Sequence, residues 1–78
     1  MTSLSNPVLE AFLSVLDEGE RQILRRKPRE TQEALAEQWQ DVVKIELGDN
    51  ASVLDPAMMT MERDKVQELA RRMVLDSE

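Results

Sequence analysis

Three carboxylates in the middle of the chain have a spacing that could serve chemistry. Glu33, Glu37 and Asp41 follow one another at intervals of four residues, which places them on one face of a helix. Carboxylates bind metal ions in helical bundles when they point into the core and belong to a Glu-x-x-His motif. This chain contains no histidine, and the three acids fall on the polar face. We therefore expect a solvated acidic face and no metal site.

The chain also lacks the residues that most enzymes use as bases and nucleophiles. It includes no His, Cys or Tyr, which leaves only hydroxyls, lysines and carboxylates as candidates. The oxygen-rich segment 49–52 is not a calcium loop, because it lacks the spaced acids, the central glycine and the closing glutamate of such a loop. The sequence therefore predicts a protein that is not an enzyme and has no catalytic site, cofactor or metal.

A run of basic residues is the most strongly charged surface that the sequence predicts. Five of the nine residues from 21 to 29 are basic and none is acidic, although the whole chain has a net charge of −6. Such a run suits recognition of an acidic surface on a partner protein, with an attraction that weakens as salt rises. An internal role is the alternative, since the run can offset the acidic segment 30–55 of the same or a neighbouring chain. The predicted partner-binding residues are Arg21, Arg25, Arg26, Lys27 and Arg29.

The same run allows a second function, that of a DNA-binding transcriptional regulator. In this arrangement, residues 18–27 form the first helix of a helix-turn-helix and residues 31–47 form the helix that reads the bases. The second segment carries four acids against a single lysine, so phosphates would repel it. The net charge of −6 also argues against nucleic acid as the main partner. A protein partner is therefore preferred.

The element that must position these residues is an amphipathic helix from Thr31 to Gly48. Thr31 is predicted to cap the first N–H groups, and Gly48 supplies the left-handed residue that often ends a helix. The only tryptophan, Trp39, lies in the middle of the apolar face, so the core is expected to form around it. Gln40 falls on the polar face. The predicted apolar face comprises Leu35, Ala36, Trp39, Val42, Val43 and Leu47.

The first helix is predicted to start after Asn6, because asparagine is a good cap and proline suits the first helical position. Its end is ambiguous, since Asp17 followed by Glu20 is typical of a new helix start and would give four helices. An unbroken helical wheel, however, keeps the later apolar residues in phase with the earlier ones. We therefore favour one helix from Pro7 to Lys27, bent at Gly19.

A last helix is predicted from Pro56 to Leu75, with Asp55 as its cap. Glu62 interrupts the apolar stripe of this helix and is expected to reach solvent near the end of the bundle. Three amphipathic helices joined by short loops predict an all-α fold, a small antiparallel three-helix bundle.

The first helix carries a second apolar stripe beside the one that faces the core. In a monomer this stripe would be exposed, and contiguous exposed apolar patches usually mark interfaces. So small a domain also gains stability from association. We therefore expect a homodimer in which two first helices pair about a two-fold axis, with a different protein as the rival occupant. The predicted interface residues are Leu4, Val8, Ala11 and Val15.

Length and composition set the remaining expectations. A chain of 78 residues with 41% hydrophobic residues predicts one domain over 1–78, and we expect disorder at 1–5 and 76–78. No apolar stretch is long enough to span a bilayer, and no signal peptide is recognisable. The absence of cysteine fits a reducing compartment. Together these features predict a soluble cytoplasmic protein.

Overall fold

The structure, a computed structural model, describes residues 6–77, and within them the chain forms five helices. They are α1 (Pro7–Val15), α2 (Glu18–Arg25), α3 (Arg29–Leu47), α4 (Pro56–Met61) and α5 (Arg63–Asp76). This part of the chain contains no strand, so the predicted all-α bundle is confirmed. None of these helices is long and apolar enough to cross a membrane. The expectations for residues 1–5, including Leu4, and for Glu78 lie outside the described residues.

The three longest helices form the centre of the bundle. α1, α3 and α5 pack against one another, while α2 and α4 lie against α5. Lys27, just before α3, donates from Nζ to the carbonyl oxygen of Ser77, just after α5, at 3.1 Å. At the other end, Glu46 of α3 and Lys65 of α5 border the same small cleft. α3 and α5 are therefore antiparallel.

The favoured continuous helix from Pro7 to Lys27 is wrong. Leu16 and Asp17 have extended backbone, with ψ of 148° and 167°, and they separate α1 from α2. The N–H of Asp17 donates to Glu20 Oε1 at 3.2 Å, which is half of the capping box that the sequence also offered. Gly19 consequently lies in the first turn of α2 and not at a bend. The alternative, a broken first helix, is the one that the chain adopts.

The last helix is also divided. The predicted span Pro56–Leu75 is interrupted at Glu62, a half-buried residue with φ −112° and ψ 27° between α4 and α5. Its start is as predicted, because Asp55 Oδ1 accepts a backbone N–H of the first turn at 3.0 Å. The expected disorder over 76–78 is wrong for Asp76, which is the last residue of α5.

Helix α3 begins earlier than predicted and ends where expected. Its first residue is Arg29, so Thr31 lies inside the first turn and is not the cap. Pro28 precedes the helix with φ −58° and ψ 153°, which is the extended geometry of a residue that leads into a helix. After Leu47 the chain leaves the helix at Gly48, whose φ of 116° favours glycine.

The core forms around Trp39, as predicted. Its side chain is fully buried, and Nε1 donates to the carbonyl oxygen of Val66 in α5 at 2.9 Å. The ring of Phe12 in α1 lies 5.2 Å from the indole, centroid to centroid, at an interplanar angle of 42°, within the range favoured by aromatic pairs. One side chain therefore contacts both of the other central helices.

Gln40 does not lie on a solvated face, in contrast to the prediction. Its Oε1 accepts the N–H of Val53 at 2.9 Å, and its Nε2 donates to the carbonyl oxygen of Ala51 at 3.5 Å. Both loop residues are buried. The half-buried amide thus binds the loop between α3 and α4 to the core, because it satisfies backbone groups that would otherwise lose their water.

The first prediction concerns Trp39. Trp39→Ala should lower the free energy of unfolding by about 3–5 kcal/mol, since it removes a buried ring and leaves a cavity. That loss is comparable to the whole stability of a small domain, about 5–15 kcal/mol. Urea unfolding followed by circular dichroism measures it.

Trp39→Phe is the control, because it keeps an aromatic ring and loses the N–H that contacts Val66. It should destabilise the protein by less than the alanine variant does. A native wild-type protein that emits as a solvent-exposed indole would contradict this assignment of the core.

Candidate functional site

The basic run lies where α2 ends and α3 begins. Arg21 and Arg25 belong to α2, Arg26 caps its C-terminus, Lys27 lies in the turn, and Arg29 is the first residue of α3. Positive charge is favourable beside the carbonyls that end a helix, which gives the run a local reason to be there. The five side chains are neighbours in sequence, but they differ in what they contact.

Arg21 is used by the fold. Its Nε donates to the carbonyl oxygen of Leu13 at 3.1 Å, and its Nη2 donates to that of Leu16 at 2.8 Å. A further contact, of 3.3 Å, joins Nη1 to Glu18 Oε1. The last carbonyls of a helix have no helical partner, so Arg21 satisfies the end of α1 from α2. It belongs to the framework and not to a free binding surface.

Lys27 and Arg29 also make contacts within the chain. Lys27 Nζ binds the carbonyl oxygen of Ser77 at 3.1 Å, which ties the turn before α3 to the end of α5. Arg29 Nε donates to Glu33 Oε2 at 3.2 Å, one turn along α3. Pairs of this spacing stabilise a helix slightly. The charge of Arg29 is therefore partly neutralised by a carboxylate, and Lys27 is held in place by a backbone carbonyl.

Arg25 and Arg26 remain, and we call them the arginine pair. Both side chains are exposed. Within residues 6–77, no hydrogen bond or ion pair engages either guanidinium. Of the five predicted binding residues, the arginine pair thus has its charge fully available to a partner.

The second apolar stripe of α1 is not the open surface that was expected. The expectation of exposure is wrong for Val15, which is 8% exposed and belongs to the core. Val8 and Ala11 are half-buried and pack against the same core. Met59 and Thr60 of α4 border the same cleft as Val15, and Met59 packs against the core at this end of α1. The described part of the stripe therefore leaves little apolar surface for a second chain.

An apolar groove between α3 and α5 is a surface that the sequence analysis missed. It encloses about 440 Å³ and is open to solvent. Half-buried residues that were assigned to the core, such as Val42, form its apolar lining. The sequence did contain a signal for this groove. The apolar face of α3 is wide, because it extends beyond Val42 to Ile45, which is 78% exposed. We call this surface the α3–α5 groove, and it is lined by Leu35, Gln38, Val42, Glu46, Leu69, Arg72, Met73, Asp76 and Ser77.

The three evenly spaced carboxylates of α3 are not brought together with other acids. Glu37 and Asp41 are exposed, and Glu33 contacts Arg29. Within residues 6–77, no group of three or more acidic side chains has an arrangement that could hold a metal ion. These carboxylates therefore act as a charged surface of α3.

Comparisons with protein-family models, with curated proteins and with solved structures found no match to this chain. The surface chemistry of the chain itself is therefore what bears on its function. Two surfaces stand out in the described residues, the arginine pair and the α3–α5 groove.

The second prediction separates framework from surface within the basic run. Arg21→Ala should lower the free energy of unfolding by about 1–3 kcal/mol, because it leaves the Leu16 carbonyl without its donor and the Leu13 carbonyl with only the backbone N–H of Leu16. Arg25→Ala is the matched control and should change stability by no more than about 0.5 kcal/mol. Urea unfolding of both variants makes the comparison. Equal losses would show that Arg21 does not hold the end of α1.

Proposed function

We propose that this chain is a non-enzymatic protein–protein interaction or regulatory module, which binds an acidic surface of a partner protein through the arginine pair. The observation that carries the proposal is that Arg25 and Arg26 are exposed and unengaged among the described residues, on a chain with a net charge of −6. No acid among residues 6–77 forms an ion pair with either arginine. The arginine pair is therefore the part of the surface whose charge interacts most favourably with an acidic partner.

The chemistry of arginine supports a carboxylate-bearing partner. A guanidinium presents a planar fork of donors that matches a carboxylate with two parallel hydrogen bonds. Consecutive residues near the end of a helix point about 100° apart. The two arginines therefore reach different directions, which suits several acidic groups spread over a surface more than a single carboxylate.

The range of the interaction follows from the charge of the whole chain. At physiological ionic strength the Debye length is about 8 Å. The net charge of −6 repels an acidic partner at longer distance, whereas the arginine pair attracts it at contact. Binding should therefore be short-ranged, and added salt should weaken it.

DNA is the alternative partner, and the surroundings of the pair favour it less. Side-chain donors of Arg21 and Lys27 are occupied by backbone carbonyls, which leaves fewer of them to bind phosphates. The neighbouring helix α3 exposes Glu30, Glu37 and Asp41, and these acids interrupt the broad basic surface that the repeated phosphates of DNA need. A protein partner fits this distribution of charge better.

The proposed role also has consequences for chemistry and location. Binding of this kind needs no catalytic group, metal or cofactor, in keeping with a chain that has no His, Cys or Tyr. We also infer a cytoplasmic location, since a protein without cysteine has no disulfide to keep in an oxidising compartment.

The third prediction tests the arginine pair directly. Arg25→Glu combined with Arg26→Glu should keep the helical content and abolish capture of the partner from a native lysate. The matched control is Lys44→Glu combined with Arg63→Glu. Both side chains are exposed and belong to α3 and α5, outside the basic run and the α3–α5 groove, so the control makes the same change in net charge. Pull-down followed by mass spectrometry compares the three proteins.

We expect the wild type and the control to retain a set of acidic proteins that the arginine variant loses. About 1 M salt should elute these proteins, because the Debye length is then only about 3 Å. Capture that survives reversal of the arginine pair would refute the proposal. Salt-sensitive retention of the wild type on duplex DNA, lost in the same variant, would favour the DNA-binding alternative instead.

A further inference from the structure

The α3–α5 groove is an apolar surface that a single copy of the chain leaves open. Its apolar lining consists of the half-buried Val42, Leu69 and Met73, beside the buried Leu35. Ile45 lies about one turn along α3 from Val42 and is 78% exposed, outside the groove. A groove and an exposed apolar side chain thus lie next to each other on one face, where a single partner can cover both.

We propose that the α3–α5 groove is the contact surface of a homodimer, whose occupant is a second copy of this chain. A two-fold axis along the groove lays α3 of each copy over α5 of the other. A rotation about an axis parallel to the helices does not reverse their direction. Since α3 and α5 are antiparallel within one copy, α3 of each copy faces an antiparallel α5 of the other. The result is an antiparallel four-helix arrangement. The dimer expected from the α1 stripe is thereby assigned to a different face.

The apolar residues on both sides of the groove become a shared core in this arrangement. From Leu35 to Glu46 the groove follows α3 for about 16 Å, which is three helical turns. Val42, Leu69 and Met73 of the two copies face one another across the axis. Ile45 lies on the flank of α3, where the α5 helix of the second copy covers it.

The charges beside the groove favour a second copy over a partner of a single charge. Glu46 lies on the α3 side and Arg72 on the α5 side, and both border one small cleft beside the groove, toward which Arg72 reaches back by its contact with Glu68. The two-fold axis therefore places Glu46 of each copy opposite Arg72 of the other. A surface that carries both signs in this way is complementary to itself.

Both members of this intermolecular pair are available. Within residues 6–77, Glu46 has no hydrogen bond or ion pair. In the same part of the chain, the ion-pair partner of Arg72 is Glu68, at 3.6 Å, one turn away on its own helix, and both of these side chains are largely exposed. Exposed pairs of this kind contribute little to stability, so the guanidinium is free to contact Glu46 of the second copy.

The fourth prediction is a monomer–dimer equilibrium, measured on the full chain by sedimentation equilibrium from micromolar to millimolar concentration. Ile45→Glu should raise the dissociation constant at least about tenfold, because each dimer loses two buried isoleucines. Met61→Glu is the matched control, since Met61 is 79% exposed and lies outside the groove. It should leave the constant unchanged, as should reversal of the arginine pair. Circular dichroism verifies that each variant is folded.

The charge pair gives a second, independent test. Glu46→Arg alone and Arg72→Glu alone should each raise the dissociation constant about fivefold, and the two changes in one chain should restore it. A wild-type protein that stays monomeric at millimolar concentration would overturn the proposal. So would a dimer that Met61→Glu weakens and Ile45→Glu does not, or a double charge variant that remains as weak as the single ones.

Discussion

The hydrogen bond from the Trp39 indole to the Val66 carbonyl is the contact on which the rest of the bundle depends. A buried N–H without an acceptor costs about 1–3 kcal/mol, so the largest side chain of the core fits only where α5 presents that oxygen. This requirement fixes the position of α5 along α3. Phe12 packs on the same indole and places α1. The register that results also brings Leu69 and Met73 beside α3, and so forms the α3–α5 groove.

The features that the sequence predicted well are those in which cause and effect lie within one helical turn. The side chains of Asn6 and Asp55 cap the N–H groups that follow them, and Gly48 ends α3 with a positive φ. The apolar spacing around Trp39 was sufficient to locate the core. Each of these depends on local backbone geometry or on helical periodicity, and both can be derived from residue order alone.

The predictions that failed depended on contacts between elements. Helical phase favoured a continuous first helix, but phase does not register that Arg21 can satisfy the carbonyls of Leu13 and Leu16 once the chain has turned. The sequence predicted the five basic residues as one binding set for the same reason. Only the folded chain shows that Arg21 is held by backbone carbonyls, whereas the arginine pair is not. Gln40 was likewise assigned to solvent, because its partners lie in a loop more than ten residues later. Such contacts exist only in the folded chain.

The short helix α4 has a consequence for the motions of the molecule. None of its six residues is buried, and the non-helical backbone of Glu62 separates it from α5. Met58 and Met59, both half-buried, are the residues of α4 that pack against the core, so the opening of α4 exposes less apolar surface than the opening of a central helix, and α5 can stay folded meanwhile. Elements of this kind form independent units of low local stability. Amide hydrogens of α4 should accordingly exchange with solvent through local opening, whereas those around Trp39 exchange only when the whole bundle unfolds.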